Sequence, residues 1–309
     1  MGLRSTFRTA ATGMLAAALV ASGALATGIL TRQDARDNSY AACRGTDPDC
    51  YNDWREDDGE TRVLVYSRTV GPRHAHLGTA LGPGLNPELG ANNVAQQGMV
   101  NWGEEYGFDV DWTEDHTWMN SAGRLRPYDA VIFLSSTRDT LDDNAQTALM
   151  QYVRSGGGFV GIHNAFGTEY HWEWYEGLLG GTNFYDHGRH QEGTVTVNAR
   201  RDVTTTHLPS RFTFKDEWYN LYPYPSEVRV LLSVDESSWE IPKTSGHPGH
   251  GREHPVSWCQ YYDGGRAFLT TLGHDVALWT EAPLVGGAEI KEHIVQGVLS
   301  AAGEQPFCR

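Results

Sequence analysis

The feature that most constrains the fold is a series of short apolar strands alternating with helical segments between residues 61 and 163. Strands are predicted at "TRVLVYS", "FDVDWTED", "YDAVIFLSS" and "GFVGIH", and three of these four are mostly apolar. Strands of that kind are typical of a sheet covered on both faces. Helices are predicted at "NNVAQQGMVNWGEEYG" and "DDNAQTALMQYVRSGG", the second capped by Asp142 and ended by Gly156. The alternation predicts an α/β fold with a doubly wound, mostly parallel sheet.

The second half of the chain predicts strands with little helix between them. These are "GTVTVN", "RFTFKDEWY", "EVRVLLSVDE", "PVSWCQYY" and "RAFLTTLGHD". Asp263-Gly264-Gly265 joins the last two and is a hairpin signal. "AEIKEHIVQGVLSAAG" predicts a closing helix. We expect these elements to add β-hairpins to the same sheet, not to form a second domain.

The N-terminus has the pattern of an export signal. Arg4 and Arg8 precede an apolar run over residues 10–25, and Ala24-Leu25-Ala26 has the small-x-small form of a cleavage site. An uncleaved anchor is the alternative, for which the run is marginal. We therefore predict a secreted or cell-envelope protein with no membrane association after cleavage. The predicted parts are a signal peptide over 1–26, a polar, loosely ordered lead-in over 27–60, one domain over 61–303 and a tail over 304–309.

The charge and the aromatic content narrow the choice of ligand. A net charge of −15 argues against a nucleic-acid partner, because a polyanion requires a basic surface. The 10 Trp and 14 Tyr suit a site that stacks on sugar rings, although most such rings serve packing.

Four cysteines fit an oxidising compartment. Cys43 and Cys50 bracket the turn-rich "RGTDPD", so we expect them to pair, which leaves Cys259 to pair with Cys308. Four cysteines permit three connectivities, and the other pairings and free thiols stay open.

Ionisable residues follow the predicted strands, and ligands bind outside the carboxyl ends of strands in open parallel sheets. Histidines stand near four of five such ends, at His74 and His76, His116, His163 and His274. Residues 161–165 have the outline of a strand–turn–helix elbow, with His163 where such elbows carry a nucleophile. An imidazole there can serve as a general base or a metal ligand.

Four blocks in the chain, taken in order, resemble the ThuA-like (trehalose utilisation) family over roughly residues 61–303. They are "RSGGGFVGIHNAFGTEYHWEWYEGLLGG", "KDEWY", "HPVSW" and "GGRAFLTTLGHD". The resemblance implies a flavodoxin-like fold similar to class I glutamine amidotransferases. It implies no glutaminase activity, because His163 stands where those enzymes carry cysteine. It also implies a carbohydrate or glycoside ligand, since the family is associated with sugar utilisation.

The polar residues of these blocks, together with the strand ends, give the candidate site. The predicted catalytic residues, acting by acid–base chemistry, are His163, Glu217, His187 and His274. The predicted substrate-binding residues are Trp218, Tyr219, Asn164, His254, Asp216 and His116. Of these, Trp218 or Tyr219 is expected to supply the face on which a sugar ring stacks. Because neighbouring residues of a strand point to opposite faces, we expect Glu217 and not Asp216 to face the site.

Three functions are compatible with these residues. The first is an enzyme acting on a glycoside or keto-sugar as a lyase, hydrolase or isomerase. The second is a non-catalytic carbohydrate-binding protein, and the third is a metal-dependent hydrolase. A divalent metal is the one cofactor considered, with His74, His76, His247 and His250 as further candidate ligands, although their spacing matches no closed zinc motif. The glycines of "SGGGFVG" precede a strand, which argues against a nucleotide site.

Overall fold

The structure, a computed structural model, describes residues 39–55, 58–240 and 246–309. The export signal predicted over residues 1–26 lies outside these ranges. Within them, ten strands form one mixed sheet. In chain order they are β1 Arg44–Gly45, β2 Arg62–Tyr66, β3 Asp109–Thr113, β4 Ala130–Leu134, β5 Gly158–Ile162, β6 Asn183–Val197, β7 Arg211–Tyr222, β8 Arg229–Asp235, β9 His254–Tyr262 and β10 Gly265–Thr270.

One half of the sheet is parallel, in the order β3-β2-β4-β5-β10. Val63 and Val65 of β2 belong to one buried apolar cluster, whereas Leu64 and Tyr66 belong to another. Because successive side chains of a strand point to opposite faces, both faces of this sheet are buried. The prediction of an α/β sheet with parallel core strands is therefore confirmed.

Helices pack on both faces of the sheet. They are α1 Val94–Tyr106, α2 Ala122–Leu125, α3 Asp143–Arg154, α4 Glu173–Leu178 and α5 Gly287–Ala302. Side chains of α1 and α5 join the cluster of Val63, and those of α3 and α4 join the other cluster. Asp142 caps α3 as predicted, by accepting a hydrogen bond from the backbone of Ala145. Helix α5 can approach β10 closely because residue 297 is glycine; a Cβ there would lie 2.2 Å from the ring of Phe268.

The other half of the sheet is antiparallel, in the order β10-β9-β8-β6-β7. The β9–β10 hairpin turns at Asp263 and Gly264, whose φ angles of 46° and 96° suit a two-residue turn with positive φ at both positions. Strand β6 begins at Asn183, earlier than predicted, and its first part pairs with β7 but not with β8. This two-stranded ribbon exposes polar residues on both sides, so it lacks the apolar alternation that indicates a strand in sequence.

Both predicted disulfides are present, Cys43–Cys50 and Cys259–Cys308. The described part of the predicted lead-in, residues 39–55 and 58–60, is more ordered than predicted, because β1 pairs with β9 beside the first disulfide. Disulfides persist in oxidising compartments, so the pair indicates such an environment for this protein. No helix in the described ranges is long and apolar enough to cross a membrane.

The burial of His293 in α5 makes the folded protein less stable in acid. His293 Nδ1 donates to the Thr204 carbonyl at 2.7 Å, and its Nε2 lies 2.8 Å from Ser257 Oγ. Burial lowers its pKa from 6.5 to about 4, because the charged imidazole would lose its hydration. Below about pH 6.5 the unfolded chain therefore binds a proton that the folded protein does not bind. Stability then falls as the pH drops toward 4.

We predict that His293→Gln flattens this part of the pH–stability curve. The wild type should lose up to about 3 kcal/mol through this group between pH 6.5 and 4, and the variant should be spared that loss. Urea unfolding at several pH values from about 4 to 7.5 gives the two slopes. Equal slopes would contradict the assignment, whatever the absolute stability of the variant.

Candidate functional site

The chain turns sharply where β5 ends at His163. This residue has a φ of 52°, in the left-handed region that costs a non-glycine residue roughly 1–2 kcal/mol. A 3₁₀ turn, His163–Gly167, follows directly. The strand, the strained residue and the turn together have the elbow outline that the sequence indicates. The elbow sets the imidazole of His163 among side chains from three other segments.

The hydrogen bonds of His163 define its tautomer. Nδ1 lies 2.8 Å from the carbonyl oxygen of Thr271, which can only accept, so Nδ1–H donates. Nε2 then carries a lone pair, and it lies 3.1 Å from His74 Nε2, 3.4 Å from His274 Nδ1 and 3.0 Å from Tyr219 Oη. Burial, and next the neighbouring His74, lower the pKa of His163 well below 6.5. The imidazole is therefore neutral, with its lone pair facing the cluster.

Glu217 lies close to two other histidines, of which His274 forms a hydrogen bond with it. Its Oε2 lies 3.2 Å from His274 Nδ1 and its Oε1 lies 3.1 Å from His187 Nδ1. Burial raises the pKa of Glu217, but the hydrogen bond from His274 and the nearby imidazoles outweigh burial and lower it overall. Burial lowers the pKa of His274, and its bond to Glu217 reverses this and raises it. Glu217 therefore pairs with His274 and His187 rather than directly with His163.

Four side chains converge on one point: His74, His163, His274 and Glu217. One nitrogen or oxygen from each lies within 4.8 Å of the others. Across residues 39–55, 58–240 and 246–309 this is the only such group of three or more His, Cys, Asp or Glu residues. Atoms bound to one ion at about 2.1 Å lie within about 4.2 Å of each other, so small shifts would let all four bind one cation. Imidazole and carboxylate together suit a first-row divalent metal.

The carboxylate of Asp216 forms hydrogen bonds with the backbone of two of these residues, Glu217 and His274. This buried carboxylate accepts hydrogen bonds from the backbone N–H groups of Gly273 at 2.7 Å, His274 at 3.1 Å and Glu217 at 2.7 Å. Burial raises its pKa to about 7, although these N–H groups act in the opposite direction. The geometry makes Asp216 a positioning residue, which corrects the expectation that it binds substrate.

The aromatic residues beside Glu217 do not form a stacking surface. Trp218 is 1% exposed and donates through Nε1 to the Gln191 carbonyl at 3.0 Å, on the core side of β7. Tyr219, also 1% exposed, stacks on His163 at a ring distance of 4.5 Å. Strand alternation explains the difference, since Glu217 and Tyr219 share a face and Trp218 lies on the other. Neither ring can stack on a sugar as predicted.

Asn164 and His254 lie against Tyr219. Asn164 is half-buried, and its Oδ1 lies 3.3 Å from Tyr219 Oη, which can donate to it instead of to His163. His254 is fully buried and donates through Nε2 to the Tyr219 carbonyl at 2.7 Å. His254 therefore supports the strand behind the cluster and cannot touch a substrate as predicted.

His116 and His76 lie outside the four-residue group. His116 Nδ1 lies 2.6 Å from a guanidinium nitrogen of Arg68 at the end of β2, and no contact joins it to the cluster within the described residues. His76 is buried, donates to the His274 carbonyl at 3.1 Å and lies 2.8 Å from Ser135 Oγ. It supports the loop of His274 without offering a ligand.

The remaining metal candidates, His247 and His250, lie in a separate loop. Their rings are 4.6 Å apart, and their backbone N–H groups donate to the carboxylates of Asp186 and Glu236. Of the four metal candidates named from sequence, only His74 joins the cluster.

The cluster opens to solvent through a cleft of about 360 Å³, within the range of small-molecule sites. His190 and Asp275 lie in this cleft beside His274, with His190 Nε2 3.3 Å from Asp275 Oδ2. Neither is among the site residues predicted from the sequence, although His190 stands three residues after His187 in the same ribbon. A larger cleft of about 670 Å³ lies near Trp54 and Gln151, at the amino ends of the strands, and contains no cluster of three or more His, Cys, Asp or Glu residues among the described residues.

We predict different protonation of His163 and His274 in metal-free protein. At pH 6.5 His163 should be neutral with its proton on Nδ1, because burial and the Thr271 carbonyl favour that form. His274 should be more than half protonated, because Glu217 stabilises its charge. Long-range ¹H–¹⁵N spectra of histidine-labelled protein distinguish these states. A positively charged His163 at this pH would contradict the assigned tautomer.

Comparison with known proteins identifies the fold and the family. The sequence model of the family described as trehalose utilisation, ThuA, matches residues 62–299. A ThuA-like protein from Bacteroides uniformis is 21% identical, with a TM-score of 0.60 over 80% of this chain and 94% of that one. A ThuA-like protein from Parabacteroides merdae is 18% identical, with a TM-score of 0.58 over 80% and 91%. At these identities the two structures establish similarity of fold alone. No curated protein matches the chain. The family match over most of the sequence confirms the resemblance, and the chain belongs to the ThuA (trehalose utilisation) family.

Proposed function

We propose that the protein is an exported enzyme that acts on a glycoside or keto-sugar at a divalent metal ion. His74, His163, His274 and Glu217 would hold the ion. The observation that carries the proposal is the convergence of four ligand atoms, from four distant segments, within 4.8 Å of one another. Membership of a sugar-associated family supports carbohydrate as the substrate class.

The contacts favour a metal centre over a simple His163–Glu217 acid–base pair. His163 presents a lone pair to His74 Nε2 at only 3.1 Å, so in metal-free protein His74 must supply a proton there. Burial, and next the charge of His274, lower the pKa of His74 to about 4, so both rings are neutral near pH 7. Neutral imidazoles and a carboxylate aimed at one point are the arrangement that a cation satisfies. The bond outside the cluster supports this, since the Thr271 carbonyl orients the ring of His163.

The surrounding groups suit proton transfer on a sugar. When bound, the ion would polarise a carbonyl or hydroxyl oxygen of the substrate. His187 and His190 flank the centre and are partly exposed, so either can accept a proton from the substrate. A carboxylate oxygen lies near each ring, with Glu217 Oε1 3.1 Å from His187 Nδ1 and Asp275 Oδ2 3.3 Å from His190 Nε2. This combination suits proton abstraction at a carbon next to a sugar carbonyl, the first step of an elimination or an isomerisation.

We also propose that the protein is exported and that its sheet is of a specific type. Export through the signal at residues 1–26 is supported by the two disulfides. A doubly wound, flavodoxin-like sheet of the glutamine amidotransferase type is supported by the helices on both faces and by the elbow at His163.

Metal binding by the purified protein tests the four-residue centre. Protein treated with a chelator should bind one equivalent of Zn²⁺, Mn²⁺ or Co²⁺, measured by calorimetry and elemental analysis. His163→Ala and Glu217→Gln should weaken binding at least about 10- to 100-fold, because each removes a direct ligand. His116→Ala is the matched control and should bind like the wild type. Equal affinity in all three variants would exclude this centre.

Turnover by the metal-loaded protein tests the proposed activity. A screen of glycosides and keto-glycosides with metal-loaded protein should find a substrate that His163→Ala converts at least about 100-fold more slowly. His207→Ala removes an exposed histidine that is not among the site residues, and this variant should retain activity. If ligands bind but none is converted, the protein is a carbohydrate-binding protein. Equal turnover by wild type and His163→Ala would remove His163 from the mechanism.

A further inference from the structure

Three aromatic side chains, Tyr219, Phe184 and Tyr170, follow one another from His163 outward. The ring of Tyr219 lies 4.5 Å from that of Phe184, and Tyr170 donates through Oη to the Phe184 carbonyl at 3.3 Å. Phe184 and Tyr170 are half-buried, in contrast to the buried Trp218 and Tyr219. They therefore offer the ring surface near the cluster that the two predicted residues lack.

Arg138 lies next to Tyr170, and two hydrogen bonds hold its backbone there. Its N–H donates to the Gly167 carbonyl at 2.8 Å, and its carbonyl accepts from the N–H of Glu169 at 3.2 Å. These bonds tie it to the loop that follows His163. Its φ of 65° is in the left-handed region, which is unusual for a residue with a long side chain.

The side chain of Arg138 is also held in place. Its guanidinium carbon lies 5.8 Å from the ring centroid of Tyr170. Its Cγ packs against Gly71, where a Cβ would come within 2.6 Å. The residue is exposed, and none of the ion pairs within the described residues involves it, although Asp139 follows it in the chain. A guanidinium that lies near an aromatic ring and has N–H donors not engaged by a carboxylate is suited to bind an anion.

We propose that Arg138, Tyr170 and Phe184 form a subsite for an anionic sugar unit. The sugar ring would pack on the two aromatic side chains, and its carboxylate or sulfate would accept hydrogen bonds from the guanidinium. This names the substrate class as acidic glycans or glycosides. It rests on the proposed function for turnover, but binding at the subsite does not require the metal.

The test measures binding of simple probes to metal-free protein by calorimetry at low ionic strength. Methyl glucuronide and glucose 6-sulfate are compared with the neutral methyl glucoside. The wild type should prefer at least one anionic probe. Arg138→Gln should weaken that binding about 10- to 100-fold. Arg138→Lys should fall between the two, because an ammonium cannot form the paired bonds of a guanidinium. Arg201→Gln removes another exposed arginine and should bind like the wild type.

Arg138→Gly separates recognition from structure. Glycine adopts positive φ freely, so this variant should keep or raise the melting temperature while it loses the preference for anionic probes. Equal affinity of the wild type for neutral and anionic probes would overturn the proposal. So would unchanged anion binding in Arg138→Gln. Absence of metal binding would overturn the proposed centre and leave this result intact.

Discussion

The hydrogen bond from His163 Nδ1 to the Thr271 carbonyl is the interaction on which the site depends. Strands β5 and β10 run parallel, and their last register pair is Ile162 with Thr270. His163 and Thr271 therefore leave the sheet side by side, and their bond extends the ladder by one side chain. This hydrogen bond directs the lone pair of His163 Nε2 toward His74 and His274. Because His274 follows Thr271 closely, the same strand end also supplies the next member of the cluster.

The parallel half of the fold could be predicted because burial on both faces leaves a direct mark on the sequence. "AVIFL" and "GFVGI" have no polar residue, and all their residues are buried. The ribbon of β6 and β7 could not be predicted in the same way. Its first part lies beyond β8, so both its faces contact solvent or the site, and "NFYDHGRH" carries no periodic apolar signal. The register of that ribbon pairs His187 with Tyr219 and His190 with Glu217, and His187 reaches diagonally to within 3.1 Å of Glu217.

Strand ends indicated where the site lies, but not which groups bond to each other. His163, His274 and His74 could be expected together, since parallel strands bring their carboxyl ends to one edge. The pairing of Glu217 with His274 depends on Asp216. Its carboxylate accepts hydrogen bonds from backbone N–H groups of two segments that are distant in sequence. Residue type alone also favoured Trp218 as a stacking surface. The alternation along β7 turns it into the core, and the exposed ring surface comes from Phe184, which no motif had indicated.

Backbone strain concentrates where the chemistry is proposed. Four of the nine non-glycine residues with positive φ in the described ranges follow β4 or β5: Ser135, Arg138, His163 and Glu169. Each costs roughly 1–2 kcal/mol, so the neighbouring structure must hold them. Cross-loop bonds do so, from Ser135 N–H to the Ile162 carbonyl and from Arg138 N–H to the Gly167 carbonyl. The buried carboxylate of Glu169 binds back to the chain after β4. The two loops are therefore linked by hydrogen bonds, which support the strained conformations of the elbow at His163 and of the Arg138 backbone.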